Sequence, residues 1–189
     1  GKDLLEGGAT YNGDRIGFGF LADIADSLTN IKKYVFDSKK LTLKEFVEIL
    51  DNDFKGNEKL RAELLADRDK YGNNKDLPDG FAKDIVDYVC SEVCGRPNHE
   101  IMGGNWNLGF HVARQSYTQA LRTASSPNGR LKGEELAKNI SSSMGMNREG
   151  ATAAILSATK IDASKFTFSA CLDLGLLPSA VKGEDGLEA

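Results

Sequence analysis

The spacing of apolar residues in the first half of the chain constrains the fold most. Between residues 20 and 94 they recur every three or four positions, as on one face of a helix. This pattern predicts four helices, at about Phe20–Phe36, from Thr42, at about Glu58–Ala66 and at Asp79–Cys94. In the first helix, Leu21, Ile24 and Ala25 begin the expected buried stripe. Thr42 and Glu45 fit a capping box. We predict Asp79 as the N-cap and Gly95 as the C′ residue of the fourth helix.

Strand patterns lie in the second half. The best is Phe166 to Leu174, where Phe166, Phe168 and Ala170 alternate onto one side. Trp106 to Val112 also fits a strand, followed by a helix to about Arg122. The segment from Ala151 to Ile161 fits a helix or a buried strand, and we favour the helix. The glycine-rich residues 1 to 19 predict loops and turns. Because helices outnumber strands, the sequence indicates a helix-rich α/β or α+β fold.

Composition limits the function. The 189 residues are 40% hydrophobic and 28% charged, with a net charge of −4, which fits one globular domain. The charge argues against nucleic-acid binding, which needs clustered Lys and Arg. We expect no membrane segment, because no apolar run approaches about 18 residues, and no export signal, because no charged and apolar leader opens the chain. Three cysteines are too few for a disulfide framework, which favours the cytoplasm.

Residues Gly17-Phe-Gly19-Phe-Leu-Ala22 fit a dinucleotide-binding fingerprint at a helix start. That fingerprint follows a buried strand, and residues 11 to 16 do not have the pattern of one. We therefore expect a glycine-rich turn that packs closely on a neighbouring segment.

Three sequence patterns resemble metal-binding sites, but each lacks required ligands. Two stretches, from Asp51 and from Asp67, resemble calcium loops but lack the required oxygen ligands, so polar turns are expected. Cys90, Cys94 and His99 form only a partial zinc motif, because a structural zinc site needs four ligands. We expect the two cysteines to be core residues and the chain to bind no metal.

Two further residues are candidates for chemistry. His111 has no acid or nucleophile beside it in sequence, so a hydrogen-bonded structural histidine is expected. Arg130 follows the turn Ser125-Ser-Pro-Asn-Gly129 and has the geometry to bind a carboxylate. We expect a structural ion pair there.

Five segments, in order along nearly the whole chain, resemble the glycyl-radical enzymes, the family of pyruvate formate-lyase. The most specific segment holds Ser126-Pro-Asn-Gly-Arg130, Gly133-Glu-Glu-Leu-Ala137, Ile140-Ser141 and Gly150-Ala-Thr-Ala-Ala-Ile-Leu-Ser-Ala-Thr-Lys-Ile-Asp162. The other four are Gly1–Asn12, Ala25–Phe36, Lys70–Asn74 and Pro178–Gly186. The first and last of the five look more like the dehydratase and decarboxylase branches than like pyruvate formate-lyase itself.

The resemblance implies a fold and a chemistry. The chain would be the helix-rich part of a ten-stranded α/β barrel, with residues 1–162 in the lyase-like domain and 163–189 starting the glycine-radical domain. An activating enzyme with S-adenosylmethionine and an iron–sulfur cluster would install the glycyl radical, which generates a cysteine thiyl radical. The family's catalytic cysteine would lie before Gly1 and its radical glycine after Ala189. We therefore expect no catalytic residue and no bound cofactor in this chain, and no thiyl role for its cysteines.

The same resemblance implies a substrate site. The strand from Phe166 and the loop after it would line the barrel, so Leu177, Ser179 and Val181 are the predicted pocket residues for a small-molecule substrate. The intact enzyme would be a cytoplasmic lyase, and a homodimer is possible. The alternative interpretation is a free-standing, non-catalytic domain that binds a partner or small molecule through the old barrel surface.

Overall fold

A computed structural model describes residues 1–3, 6–10, 12–98, 104–112, 114–166 and 168–175. The helices are α1 Leu21–Ile31, α2 Leu43–Asp51, α3 Glu58–Ala66, α4 Asp76–Val93, α5 Gln115–Ala120 and α6 Gly150–Thr159. A π-helical turn, Lys32–Asp37, extends α1, and a 3-10 turn covers Ala163–Lys165. The strands are β1 Gly13–Gly17, β2 Asn105–Phe110 and β3 Ser169–Ala170. The fold is thus α/β and rich in helix, as the apolar pattern predicts.

The three strands form one parallel sheet in the order β1-β2-β3. Gly13 pairs with Asn105 and Gly17 with Gly109, so β1 runs along most of β2. On the other side, Phe110 of β2 pairs with Ala170 of β3. Since all three strands point the same way, their carboxyl ends lie at one edge of the sheet.

The strand predictions are wrong in two places. Residues 13 to 17 were expected in a loop but form β1, whose side chains are mostly exposed and so leave no buried pattern in the sequence. The predicted strand from Phe166 shortens to Ser169–Ala170 within the described residues. Phe166 is buried, whereas Phe168 is 56% exposed, so the two rings do not share a side. The 3-10 turn that ends at Lys165 sets the backbone of Phe166 outside the strand.

The helix predictions are largely confirmed. The capping box of α2 is present: Glu45 N–H donates to Thr42 Oγ1 at 3.2 Å, and Thr42 N–H donates to Glu45 Oε2 at 2.7 Å. Gly95, after α4, has the expected positive φ of 79°. The helix from Ala151 and the helix after β2 are also found. No helix within the described ranges is both long and apolar enough to cross a membrane.

The N-cap prediction for α4 is wrong. The helix begins one turn earlier, and its N-cap is Lys75. Pro78 permits this, because a proline in the first turn of a helix removes a donor that has no partner there. Asp79 is instead buried inside the helix, where its Oδ2 accepts hydrogen bonds from Ser157 Oγ at 3.0 Å and Lys160 Nζ at 2.8 Å.

Two apolar clusters hold the fold together. The larger packs α1 and α4 against the buried face of β2, where the Phe110 ring meets Phe18 at 5.1 Å and Phe166 at 4.8 Å, edge to face. The smaller joins α2 and α3 through Phe46, Phe54 and Leu64. The larger cluster therefore supports the sheet and fixes the carboxyl ends of its strands.

The glycine-rich turn before α1 is a packing feature, as expected from the sequence. A strand, β1, does precede it, but its side chains face solvent rather than a core. A Cβ on Gly19 would lie 2.6 Å from Cγ1 of Val112, a buried residue just beyond β2. The glycine therefore allows the turn to approach β2, which explains its presence without a bound dinucleotide.

This contact predicts a matched pair of substitutions. Gly19→Ala should lower the free energy of unfolding by about 1–3 kcal/mol, because the stiff Val112 side chain must shift. Gly17→Ala is the control, since a Cβ there meets no atom within 4 Å. Denaturant unfolding of both variants measures the difference. Val112→Ala should make Gly19→Ala less costly, and the absence of such rescue would contradict the packing role.

Candidate functional site

The predicted pocket residues Leu177, Ser179 and Val181 lie outside the described residues. Their assignment therefore stays a prediction. The structure does describe the sheet edge that leads towards them in sequence, from β3 through Gly175. Ligands of parallel α/β sheets bind at the carboxyl ends of the strands, so this edge is the candidate site.

Two residues with reactive side chains meet at this edge. His111 directly follows β2 and Cys171 directly follows β3, so the parallel register sets them side by side. Cys171 Sγ lies 3.6 Å from His111 Nδ1. His111 is exposed and Cys171 is half-buried. Sequence reasoning missed the pair because 60 positions separate its members; the available signal was that each follows a strand.

A loop from the middle of the chain holds both strand ends. Asn139 Oδ1 accepts the backbone N–H of Val112 at 2.8 Å, and Asn139 Nδ2 donates to Asp173 Oδ2 at 2.7 Å. The N–H of Ile140 donates to the Cys171 carbonyl at 3.1 Å. Ser141 Oγ accepts the N–H of Asp173 at 2.8 Å. The loop thereby positions the edge through hydrogen bonds to β2 and to the segment after β3.

A cavity of about 700 Å³ opens beside this loop. Its walls include Lys138, Ser141, Ser142 and Asp173. Hydroxyl, amine and carboxylate groups therefore face the same space, next to the residues that lead to the predicted pocket. The edge accordingly borders a cavity that has hydrogen-bond donors and acceptors in its walls, beside a backbone fixed by Asn139.

Behind the edge, α1 carries a buried carboxylate that joins distant loops. Asp23 Oδ1 accepts from Asn128 Nδ2 at 2.8 Å and Ser143 Oγ at 2.9 Å, and its Oδ2 accepts the N–H of Ala137 at 2.7 Å. Burial raises the pKa of Asp23, while the bond from Ala137 is the largest of the interactions that oppose the rise. Asp23 thus ties the turn at 126–130 and the loop at 134–143 to one helix.

The expected apolar stripe of α1 is partly wrong for this reason. Ile24 is 37% exposed, and the buried face carries Asp23, Asp26, Thr29 and Asn30 with Leu21, Ala22 and Ala25. The sequence showed acidic residues one turn apart, but spacing alone does not reveal that loop donors satisfy them. Charges at a helix face that packs against loops are the signal that could have located this cluster.

Asp26 is the most perturbed acid of the cluster. Burial raises its pKa to about 7, and the nearby Lys70 opposes that rise. Oδ1 accepts the N–H of Tyr71 at 2.7 Å, whereas Oδ2 has no hydrogen-bond partner in the described part of the chain. Lys70 is itself buried, which lowers its pKa, and its Nζ donates to the Asn128 carbonyl at 3.3 Å.

Arg130 is structural, but the expected ion pair is wrong. Its guanidinium donates to the carbonyl oxygens of Leu131 and Glu134, both at 2.9 Å, and to that of Ala124. Nε donates to Ser126 Oγ at 3.2 Å. Asp23 acts on Arg130 only through its charge. The guanidinium therefore closes the turn at 126–130, where Gly129 has a φ of 99°, and most of its donors are used within the fold.

The residues of the motifs that resemble metal sites form ion pairs, hydrogen bonds and apolar contacts within the fold. Asp67 and Asp69 pair with Lys33, and Asp53 Oδ1 accepts the N–H of Lys132 at 2.8 Å, so both stretches are polar turns. Cys90 belongs to the larger core cluster, as expected, and Cys94 packs against it. His99 lies outside the described residues. Within the part that the structure describes, no three His, Cys, Asp or Glu side chains are grouped as metal ligands.

Cys90 has one further feature. Glu92 stands two positions after it, which gives the Cys-x-Glu spacing that the resemblance implies for the family's catalytic cysteine. However, it lies on α4 rather than in a loop, and it is only 5% exposed. Burial, with a smaller effect from Cys94, raises the pKa of its thiol to about 12. Glu92 pairs with Arg96 at 2.6 Å. This setting disfavours a catalytic role, because a reactive thiol is exposed and easily ionised.

Comparison with known proteins identifies the family that has this fold. The family model described as pyruvate formate lyase-like matches residues 1–116. The chain belongs to this family. It is 35% identical over 188 residues to trans-4-hydroxy-L-proline dehydratase of Clostridioides difficile, covering 100% of the chain and 23% of the relative. It is 33% identical to (2S)-3-sulfopropanediol dehydratase of Klebsiella oxytoca, covering 98% of the chain and 23% of the relative.

A solved structure supports the same family assignment. The crystal structure of a glycyl radical enzyme from Archaeoglobus fulgidus superimposes with a TM-score of 0.85 and 35% identity, over 96% of the chain and 23% of that structure. The helix-rich α/β fold is therefore a part of the glycyl-radical barrel, as the resemblance implied. The chain spans less than a quarter of the length of these relatives.

The buried Asp26 predicts a pH-dependent stability. A folded-state pKa of about 7, above the ordinary 3.8, means that the native state holds the proton more tightly than the unfolded state. The resulting stabilisation is present below about pH 4 and is lost as the pH rises to about 7. Relative to the native protein, Asp26→Asn should therefore gain about 4 kcal/mol in unfolding free energy between about pH 4 and pH 8.

Denaturant unfolding across that range measures the effect. Asp51→Asn is the control, because it removes the same kind of side-chain charge from an exposed position. Parallel profiles for Asp26→Asn and the native protein would contradict the perturbed carboxyl.

Proposed function

We propose that this chain is a segment of a glycyl-radical lyase of the dehydratase type. The observation that carries the proposal is the 35% and 33% identity, along essentially the whole chain, to two proteins named as dehydratases. The proposed reaction is radical cleavage of a C–O, C–N or C–C bond in a small molecule, with C–O cleavage favoured by the names of these relatives.

The role proposed for this chain is to shape and support the substrate pocket. A glycyl radical, which an activating enzyme with S-adenosylmethionine and an iron–sulfur cluster would install outside this chain, would generate the cysteine thiyl radical that abstracts hydrogen from the substrate. The sheet edge after β2 and β3 would hold one wall of the pocket. The hydrogen bonds of Asn139 keep that wall in place, which matters because substrate positioning within about 1 Å decides the rate of such steps.

Three further features are proposed from the family resemblance. They are a cytoplasmic enzyme, assembly as a homodimer, and a boundary at residue 162 between the lyase-like domain and the start of the glycine-radical domain. Phe166, beyond that boundary, packs in the larger core cluster, which supports close docking of the two proposed domains.

The central test is formation of the radical. Under anaerobic conditions, the full-length protein with its activating enzyme should give a glycyl-radical signal in electron paramagnetic resonance and turn over a small diol, hydroxy acid or sulfonate. The isolated 189-residue chain should give neither, because the radical glycine is proposed to lie outside it. A full-length variant with that glycine replaced by alanine is the control.

Each contrary outcome has a distinct meaning. A radical on the isolated chain would overturn the proposed inactivity. A full-length protein that never acquires the radical would overturn the lyase, and a non-catalytic binding domain would then be the better interpretation.

The predicted pocket residues have their own test. Leu177→Ala should lower kcat/KM about tenfold or more, because lost apolar contacts with the substrate cost about 1–3 kcal/mol. Ser179→Ala and Val181→Ala should also lower kcat/KM, with the radical yield unchanged in all three. Lys44→Ala is the control, since that side chain is 87% exposed. Unchanged kcat/KM in the three variants would remove these residues from the pocket.

A further inference from the structure

The pair of Cys171 and His111 has the geometry of an activated thiol. Their Sγ and Nδ1 atoms are 3.6 Å apart, within reach of a thiol–imidazole hydrogen bond. Imidazole is the usual base that activates a cysteine, since it accepts the thiol proton near neutral pH. The nearest acidic neighbour in sequence, Asp173, has its Oδ2 directed to Asn139 and Ser141.

The pair is held in place and remains accessible. The Cys171 carbonyl accepts the N–H of Ile140, and the N–H of Val112, next to His111, donates to Asn139 Oδ1. One loop therefore fixes the backbone of both residues. His111 is exposed and Cys171 is half-buried, so the pair is not enclosed in the core of this chain. The carboxyl edge of a parallel sheet is also where such folds place their ligands.

The other two thiols provide an internal comparison. Cys90 is buried on α4, and burial raises its pKa. Cys94 is half-buried like Cys171, but its thiol faces the carbonyl oxygen of Lys165 at 3.6 Å. A carbonyl oxygen does not take up the proton of a thiol, whereas an imidazole nitrogen does. Exposure and a basic partner thus coincide at Cys171.

We propose that Cys171 and His111 form a nucleophilic pair that is modified covalently by soft carbon electrophiles such as α,β-unsaturated carbonyl compounds. His111 Nδ1 takes the thiol proton, and the sulfur attacks the β-carbon of the electrophile. A C–S bond forms as the C=C π bond breaks, and the proton then passes from the imidazolium to the α-carbon. The product is a thioether, with no oxidant and no leaving group. The pair lies at the sheet edge that is proposed as a wall of the substrate pocket. Formation of the thioether uses no radical, so the inference does not depend on the lyase.

N-ethylmaleimide is the probe for the test. The full-length protein, without radical activation, is labelled at about pH 7, and peptide mass spectrometry gives the rate at each cysteine. Cys171 should react about tenfold faster than Cys94, because an imidazole nitrogen lies 3.6 Å from its sulfur, whereas the sulfur of Cys94 faces a carbonyl oxygen. His111→Gln keeps a polar side chain but removes the base. It should slow labelling of Cys171 about tenfold.

The rate at Cys94 shows whether the variant has changed the fold. It should be equal in the native protein and in His111→Gln. An unchanged rate at Cys171 in the variant would overturn the proposal. So would equal changes at Cys171 and Cys94, which would indicate loosening of the structure, or a native Cys171 that reacts no faster than Cys94.

Discussion

The buried carboxylate of Asp23 is the interaction on which the arrangement of this molecule depends. Its oxygens accept hydrogen bonds from residues 128, 137 and 143, which have little regular structure of their own. Burying a carboxylate is costly unless donors surround it. Asp23 therefore supplies the acceptor for these buried loop donors, and the loops supply the hydrogen bonds that stabilise the buried carboxylate. This mutual requirement holds a long irregular segment in one place without a helix or strand.

The position of the sheet edge depends on the hydrogen bonds of Asp23 to the loops. The loop that Asp23 holds at Ala137 continues to Asn139 and Ile140, whose hydrogen bonds reach the ends of β2 and the segment after β3. A two-residue strand pairing is weak by itself. Here the loop and the buried rings of Phe110 and Phe166 reinforce it. The position of Cys171 beside His111 is thus a result of tertiary contacts that begin on α1.

The buried charges of the cluster are unevenly compensated. Arg130 uses carbonyl oxygens as partners, and Asp79 has Lys160. Asp26 and Asp79 each keep one carboxylate oxygen without a hydrogen-bond partner among the described residues. Such groups are tolerated when a packed framework holds them. The chain forms under a quarter of its relatives' length. Its buried charged groups indicate that polar contacts specify the interior as much as apolar packing does.

The sequence by itself determined the helices, the capping box at Thr42, the glycine after α4 and the family, because these depend on local spacing and on motifs that stay together along the chain. It could not determine β1, whose exposed side chains leave no periodic pattern, or the face of α1 that is buried. It also missed the contact of Cys171 with His111 and the carbonyl partners of Arg130. Those features were decided only by the tertiary structure, because hydrogen bonds between residues far apart in sequence set which polar groups can be buried and which side chains meet.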